Sequence, residues 1–324
     1  MAIDNGALSS PDGTSYPLVS VLVPSYNHEK YVTDCLDSIY NLSYPRLELL
    51  VSDDCSQDGT FRLAEQWAHD HADRFERTLI MRQDKNLGIA GNLQYLFDRA
   101  KGVYLAYIAS DDMFVESAIA RRVEFLQQNQ NLDGIFGNAQ YISESGAVIQ
   151  EEFISRRRAK IFLKLSSRKL LAAQLVLDWL TPGPVMMIRK AAVCENGSVG
   201  RLPDSLKAED VYIYLRLAAG GKLGFTDCVV AKYRRAPGSM TKELARFDRG
   251  LQVLVTSYEM NKHLMKGFNR VALNNKLSRC RLQLNREDAA FYRVRAFILR
   301  AITAQLKAAI YLWPAPIREL RKQD

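Results

Sequence analysis

The chain has 324 residues, of which 48% are hydrophobic and 25% charged, a composition typical of a folded globular protein and not of a disordered or collagen-like one. No run reaches the ~18–20 apolar residues that a membrane-spanning helix needs, and the polar residues 1–17 lack the basic and apolar parts of a secretory signal. The five cysteines form no Cys-x-x-Cys pair, so we expect reduced thiols in a cytosolic protein.

The net charge of +8 is distributed unevenly along the chain. Residues 231–324 contain 20 Lys and Arg but only 7 Asp and Glu, a net charge of +13, which leaves −5 for the preceding residues. A mildly acidic body with a basic C-terminal region predicts that this region meets an anionic surface.

Strand and helix patterns alternate through the first third of the chain. Aliphatic runs predict four buried strands, at 18–24, 47–52, 78–81 and 103–109. Apolar residues at helical spacing predict helices that begin near Val32, Thr60 and Asn86, and Asn27 is expected to cap the first of them. Alternation at this spacing predicts right-handed βαβ units and a parallel sheet.

Beyond Glu116 the pattern is weaker. The predicted elements are, in chain order, a helix around Ile119, a strand at 134–142, a charged loop at 151–169, a helix from Leu170 that ends before Pro182, a strand at 185–188, a helix from Glu209 to Gly220, and mostly helical residues 250–313 with breaks at Gly267 and Asn285. These patterns divide the chain into a polar tail (1–17), a sheet domain (18–245) and a basic, mostly helical region (246–324).

Acidic pairs follow two of the predicted strands at the points where these strands end. Asp53 and Asp54 follow the second strand, and Asp111 and Asp112 follow the fourth. Because open parallel sheets bind ligands beyond the carboxyl ends of their strands, we expect these carboxylates to share one edge. Carboxylates brought together repel each other unless a cation joins them, and oxygen ligands favour Mg²⁺ or Mn²⁺. Helix capping is the competing explanation, since each pair precedes a helix.

A third acidic pair, Glu209 and Asp210, starts a predicted helix. Acids in this position relieve the helix macrodipole, and beside a metal site an ionised carboxylate at a helix start can also act as a general base. Other chemistries lack their motifs, because the sequence contains no P-loop, no Gly-x-Gly-x-x-Gly after the first strand and no His-Glu-x-x-His. His28 is interpreted as a solvated loop histidine.

Several short motifs resemble, in their order and spacing, the inverting family 2 glycosyltransferases with a GT-A fold. They are VSVLVPSYN at 19–27, LVSDDCSQDGT at 50–60, Asn86-Leu87-Gly88 through Asn92 to Gly102, SDD at 110–112, ED at 209–210 and YRR at 233–235. The resemblance covers residues 18–241. It implies an α/β fold of GT-A type, with a mostly parallel nucleotide-binding sheet flanked by helices and a C-terminal helical region.

The resemblance also implies roles for individual residues. Pro24 and Asp54 would hold the base of a nucleotide-sugar and Asp111 its ribose. Asp112 would hold a Mn²⁺ or Mg²⁺ ion on the diphosphate, and Asp210 would be the catalytic base.

Further contacts are expected around this core. They are Tyr26, Asn27, Asn92, Arg234 and Arg235 for the nucleotide-sugar, and Trp179 and Glu209 for the acceptor. Trp179 also fits a core aromatic residue. Ala236 stands where many family members have a histidine, a departure that leaves any diphosphate contact of this loop to Arg234 or Arg235.

The resemblance implies transfer from a nucleotide-sugar, with UDP the commonest nucleotide in the family, to a glycan or a lipid-linked sugar in cell-surface polysaccharide (O-antigen or capsule) synthesis. We expect no nucleic acid partner, and an oligomer is compatible with the sequence. One alternative is a sugar-phosphate nucleotidyltransferase, whose glycine-rich, Arg-containing loop after the first strand is missing here. Another is a non-catalytic nucleotide-sugar-binding protein whose basic tail binds nucleic acid.

The C-terminal region has the pattern of a basic amphipathic helix. Its apolar stripe consists of Phe297, Ala301, Ile302, Leu306, Ile310 and Trp313, and Arg293, Arg300 and Lys307 recur on another face. This pattern is typical of a helix that lies on an anionic membrane, which predicts a peripheral location on the inner face of the cell membrane. Alternatively, the stripe packs on the catalytic domain or on a second subunit.

Overall fold

The computed structural model describes residues 16–177, 183–235, 248–284 and 289–312. The strands in these ranges are β1 (Val19–Ser25), β2 (Leu47–Asp53), β3 (Arg77–Arg82), β4 (Tyr104–Tyr107), β5 (Met113–Phe114), β6 (Gly134–Ile142), β7 (Val148–Gln150), β8 (Met186–Arg189) and β9 (Leu223–Arg234). The helices are α1 (Val32–Tyr40), α2 (Thr60–His71), α3 (Gly88–Arg99), α4 (Ala118–Gln128), α5 (Arg156–Phe162), α6 (Ser167–Leu177), α7 (Glu209–Ala219), α8 (Asp248–Asn261), α9 (Gly267–Leu284) and α10 (Ala289–Leu312).

The described strands form one sheet in the order β3-β2-β1-β4-β8-β6-β9-β5, and β7 pairs with β6. The first four strands of this order run parallel, which confirms the βαβ units predicted from the alternating patterns. In the other half, β8 is antiparallel to both β4 and β6, whereas β6 and β9 are parallel. The sheet therefore has the predicted α/β character, and its parallel half has a single carboxyl-end edge.

The core explains why the first strands are continuous aliphatic runs. Every residue of β1 and β2 is buried, so both faces of the sheet are covered at this point. Helix α1 turns one face inward and contributes Val32, Leu36 and Ile39 to the core, the spacing of a single helical stripe.

Four local expectations are corrected by the structure. Residues after Gly221 form the long strand β9, which was not predicted. The charged segment expected to be a loop contains α5, whose buried face consists of Ala159 and Phe162, and the short strand β7 was also missed. Asn27 does not cap α1, because that helix begins after Tyr31 without a side-chain cap in the described residues.

The C-terminal helix packs on the protein. Helix α10 contacts α6 and α9, and Leu306 and Ile310 are only 7% and 3% exposed. Arg300 and Lys307 face solvent. Leu306 and Ile310 thus follow the packing alternative, whereas Ala301 of the same stripe is exposed. No helix within the described ranges combines the length and hydropathy that crossing a membrane requires. The predicted boundary between residues 245 and 246 lies outside the described residues.

Candidate functional site

The parallel strands place the segments that follow β1, β2 and β4 on one edge of the sheet. Ser25 pairs with Asp53 in the register of β1 and β2, and Leu22 pairs with Tyr107 in the register of β1 and β4. The segments after these strands therefore emerge side by side, as parallel pairing requires. The structure thus brings the β1 loop, Asp54 and the acidic turn after β4 together.

Asn27 connects the first two of these loops. Its backbone is in the left-handed region, with φ of 54°. Its N–H donates to Ser56 Oγ (2.9 Å), and its side-chain Oδ1 accepts from the N–H of Gln57 (2.9 Å). The neighbouring Tyr26 has no such anchor role in the described contacts and is 45% exposed. The Tyr26 ring is therefore open to solvent, whereas the amide of Asn27 holds the loops in place.

Asp54 connects the end of β1 to the start of α3 at the same edge of the sheet. Its N–H donates to the Ser25 carbonyl (2.9 Å), and its Oδ1 accepts from the N–H of Leu87 (2.6 Å) at the start of α3. Burial raises the pKa of Asp54, and the backbone N–H groups of Leu87 and Gly88 partly offset this rise. Asn92 in α3 is buried and donates from Nδ2 to the Ser52 carbonyl (2.8 Å). Both side chains thus connect the end of β2 to α3.

Asp112 has an unusual environment for a carboxylate. It is buried, and its Oδ1 accepts from the backbone N–H of Arg234 (2.8 Å). Its Oδ2 is buried and accepts no hydrogen bond from any described residue. Burial raises the pKa of Asp112 well above its usual range, and the adjacent charge of Asp111 raises it further. A buried carboxylate oxygen without a partner is costly unless a ligand satisfies it.

This environment fits a divalent cation. The described ranges contain no group of three His, Cys, Asp or Glu side chains that could hold a metal by themselves. Mg²⁺ in nucleotide enzymes is commonly held by one or two carboxylates together with substrate phosphates, and Asp112 with the neighbouring Asp111 meets that requirement. The unpartnered Oδ2 of Asp112 is the atom that the ion would satisfy.

Glu209 and Asp210 are adjacent acidic residues at the start of α7. Burial is the largest cause that raises the pKa of both carboxyls, to about 8 for Glu209 and about 6 for Asp210. The charge of Asp210 raises the pKa of Glu209 further. At neutral pH Asp210 is therefore mostly ionised, and its pKa lies close to the pH, the condition that favours a general base.

Tyr107, predicted from the sequence only as a strand residue, lies within electrostatic reach of this pair. It is the last residue of β4, and the charges of Glu209 and Asp210 add to burial in raising the pKa of its phenol. Its hydroxyl is buried without a hydrogen-bond partner among the described residues. A Cβ on Gly183 would lie 2.9 Å from the Tyr107 ring, so only glycine leaves room there. The sequence feature that could have indicated this position is the hydroxyl of a tyrosine at the end of an otherwise apolar strand.

His28 was also misjudged as a solvated residue. Its Nδ1 lies 2.9 Å from Ser110 Oγ, and its Nε2 lies 3.8 Å from Asp111 Oδ2. His28 therefore ties the loop after β1 to the turn after β4. Its position within two residues of Tyr26 was the signal that could have indicated this contact.

The two arginines at the end of β9 face different surroundings. Arg234 is buried and hydrogen-bonded to protein oxygens, whereas Arg235 is exposed and lies over the Tyr141 ring, with its Cζ 3.6 Å from the centroid. Arg235 is therefore the better placed of the two to meet a ligand. Trp179 and Ala236 lie outside the described residues.

Comparisons with known proteins identify glycosyltransferases as the proteins that this chain resembles. The family model described as Glycosyl transferase family 2 matches residues 20–192. A Bacillus subtilis (strain 168) protein named as a teichuronic acid biosynthesis glycosyltransferase, TuaG, is 35% identical over 112 residues, which are 35% of this chain and 43% of TuaG. The match thus spans less than half the length of that relative.

A second relative is matched over more of its length. The Escherichia coli protein named UDP-Glc:alpha-D-GlcNAc-diphosphoundecaprenol beta-1,3-glucosyltransferase WfgD is 25% identical over 238 residues, which are 71% of this chain and 83% of WfgD. Among solved structures, the mannosyltransferase PcManGT from Pyrobaculum calidifontis, in complex with GDP-Man and Mn²⁺, superposes with a TM-score of 0.64 at 22% identity and covers 96% of this chain and 86% of its own. At that identity the superposition shows a shared fold.

Proposed function

Because the chain belongs to glycosyl transferase family 2, we propose that it transfers a sugar from a nucleotide-sugar to an acceptor hydroxyl. One observation carries the proposal, the position of two acidic groups near the end of β4. Asp112, with its unpartnered buried oxygen, follows this strand. Tyr107 is the last residue of the strand, and the charges of Glu209 and Asp210 contribute to raising the pKa of its phenol. We thus assign a cation-binding carboxylate and a basic carboxylate to positions near the end of β4. Together they serve nucleotide-sugar transfer, since the bound cation neutralises the leaving diphosphate and the base deprotonates the attacking hydroxyl.

In the proposed reaction, Asp210 accepts the proton of the acceptor hydroxyl as its oxygen attacks the anomeric carbon. The bond between that carbon and the diphosphate oxygen breaks, and the diphosphate leaves with the electron pair. A single displacement inverts the anomeric configuration, so an α-linked donor gives a β-linked product. Mn²⁺ or Mg²⁺ would supply charge neutralisation at the diphosphate, and Asp112, with Asp111 beside it, would hold the ion.

The remaining contacts follow from the geometry of the edge. Pro24, Tyr26 and the Asp54 loop would receive the base, and Asp111, held by His28, the ribose. Glu209 would meet the acceptor, since it stands next to the base at the helix start.

We propose UDP as the donor nucleotide and a lipid-linked sugar as the acceptor. The name of WfgD specifies UDP-Glc and a diphosphoundecaprenol-linked acceptor, and this supports both assignments and a role in cell-surface polysaccharide synthesis. A lipid-linked acceptor would place the protein at the inner face of the membrane. The exposed Arg300 and Lys307 of α10 would then face the anionic headgroups while Leu306 and Ile310 stay packed on the protein.

A donor screen tests the proposal. UDP- and GDP-sugars are incubated with the protein and Mn²⁺, Mg²⁺ or EDTA, and the released nucleoside diphosphate is measured. Metal-dependent release of the diphosphate from one donor is the expected result. Release of pyrophosphate from a nucleoside triphosphate and a sugar phosphate would indicate the nucleotidyltransferase alternative, and tight donor binding without any cleavage would indicate the non-catalytic one.

A further inference from the structure

Arg234, the last residue of β9, is surrounded by acceptors from three separate elements. Its side chain is fully buried. It donates from Nε to the Asp111 carbonyl (2.7 Å), from Nη1 to the Glu144 carbonyl (2.6 Å) and from Nη2 to Asp34 Oδ2 (3.0 Å). Its Cζ lies 4.9 Å from the centroid of the Tyr31 ring. The guanidinium therefore joins α1, the turn after β6 and the acidic turn after β4.

These contacts leave the guanidinium little to offer a ligand. Its N–H donors form a rigid fork, and Nη1 also lies 3.4 Å from the Ser143 carbonyl, so all three nitrogens face protein oxygens. A contact with a diphosphate would require Arg234 to leave Asp34 and the buried carbonyls together. Such a rearrangement conflicts with the expectation, drawn from the sequence, that Arg234 binds the nucleotide-sugar.

The same contacts determine where Asp112 sits. Among the described hydrogen bonds, the side chain of Asp112 has one donor, the backbone N–H of Arg234. The Arg234 side chain holds the adjacent carbonyl of Asp111 from the other side. Tyr31 closes the arrangement, because its hydroxyl donates to Glu144 Oε1 (3.0 Å). Movement of the Arg234 side chain would therefore displace both residues of the acidic turn.

We propose that Arg234 is a positioning residue that fixes Asp112 for the cation, anchored by its ion pair with Asp34, and is not a diphosphate ligand. The inference rests on the proposed function, because it takes Asp112 as the residue that holds the metal. Residues that orient a metal ligand from outside commonly change metal affinity on the order of 10–100-fold when substituted. Lysine in place of Arg234 keeps the charge but cannot span three acceptors.

The test measures Mn²⁺ affinity from the electron paramagnetic resonance signal of the free ion, without and with UDP, and UDP affinity in EDTA. In Arg234→Lys, Mn²⁺ affinity should fall about 10-fold or more, while UDP affinity in EDTA stays at the wild-type value. Asp34→Asn, at a side chain that is 53% exposed, should keep the fold and reduce Mn²⁺ affinity in the same direction. The matched control is Arg77→Lys, which alters an arginine paired with buried Glu48 (3.2 Å) at the opposite end of the sheet and should leave both affinities unchanged.

Two results would overturn the proposal. One is wild-type Mn²⁺ affinity in Arg234→Lys together with weaker UDP binding in EDTA, the behaviour of a diphosphate ligand. The other is unchanged Mn²⁺ affinity in Asp34→Asn, which decides the matter alone if Arg234→Lys does not fold. A wild-type protein that binds UDP but no Mn²⁺ would instead refute the metal site of the proposed function, and the inference with it.

Discussion

The acid limb of the pH–rate profile reports on Asp210. A base must be ionised to accept a proton, and burial raises the pKa of Asp210 to about 6. We therefore expect kcat/KM to fall with decreasing pH below about 6, reaching about a tenth of its plateau at pH 5, whereas an unshifted aspartate would still be more than ~90% ionised there. The assay is release of nucleoside diphosphate between pH 4.5 and 8 with a fixed concentration of free metal.

Variants of Glu209 and Asp210 show which of the two carboxyls causes this limb. Because Glu209, with a pKa of about 8, is still protonated when Asp210 titrates near pH 6, Glu209→Gln should leave the limb near pH 6. Asp210→Asn should instead lower turnover on the order of 10²-fold or more while donor binding survives. If Glu209→Gln loses turnover to that extent and Asp210→Asn does not, Glu209 is the base and the assignment is wrong.

Three further predictions concern neighbouring parts of the molecule. Tyr107→Phe removes a buried hydroxyl that has no partner among the described residues, so the free energy of unfolding in urea should change by less than ~1 kcal/mol; a larger loss would reveal a hydrogen bond to the acidic pair. His28→Ala should weaken UDP binding in calorimetry by about 1 kcal/mol, because the ring orients Asp111, and unchanged affinity would contradict that role. The full chain should co-sediment with phosphatidylglycerol vesicles at low salt and be released at ~1 M salt; failure to sediment would contradict the membrane proposal.

The parallel half of the sheet was predictable because its signals are local. β1 and β2 are buried on both faces, so their sequences are continuous apolar runs, and the acidic residues that follow them necessarily reach one edge. By contrast, β9 mixes Gly224 and Asp227 with apolar residues, and its parallel pairing with the distant β6 leaves no periodic signal of its own. Helix α5 was hidden because its basic residues suggested a solvated loop, although Ala159 and Phe162 at i, i+3 spacing mark its buried face.

Side-chain partners in the candidate site were harder to predict than its location. Arg234 is the last residue of β9, and Arg235 follows it. Nothing in the sequence indicates that Arg234 turns inward to Asp34 while Arg235 lies over the Tyr141 ring. The contact between His28 and Asp111 likewise depends on how the loops after β1 and β4 meet. Such contacts arise from tertiary packing between segments far apart in the chain.

Cooperation between a cation-binding Asp112 and a basic Asp210 in sugar transfer can be measured by comparing donor cleavage in three proteins. Wild type, Asp112→Ala and Asp210→Asn are assayed side by side for nucleoside diphosphate release with and without Mn²⁺, after circular dichroism has shown that all three are folded. We expect metal-dependent release by wild type and less than about a tenth of that rate in Asp112→Ala, equivalent to a barrier increase above ~1.4 kcal/mol. Asp210→Asn should bind the donor but show little turnover. Release by Asp112→Ala at more than about a tenth of the wild-type rate, or equal release by wild type with and without metal, would show that the two carboxylates do not cooperate in this way.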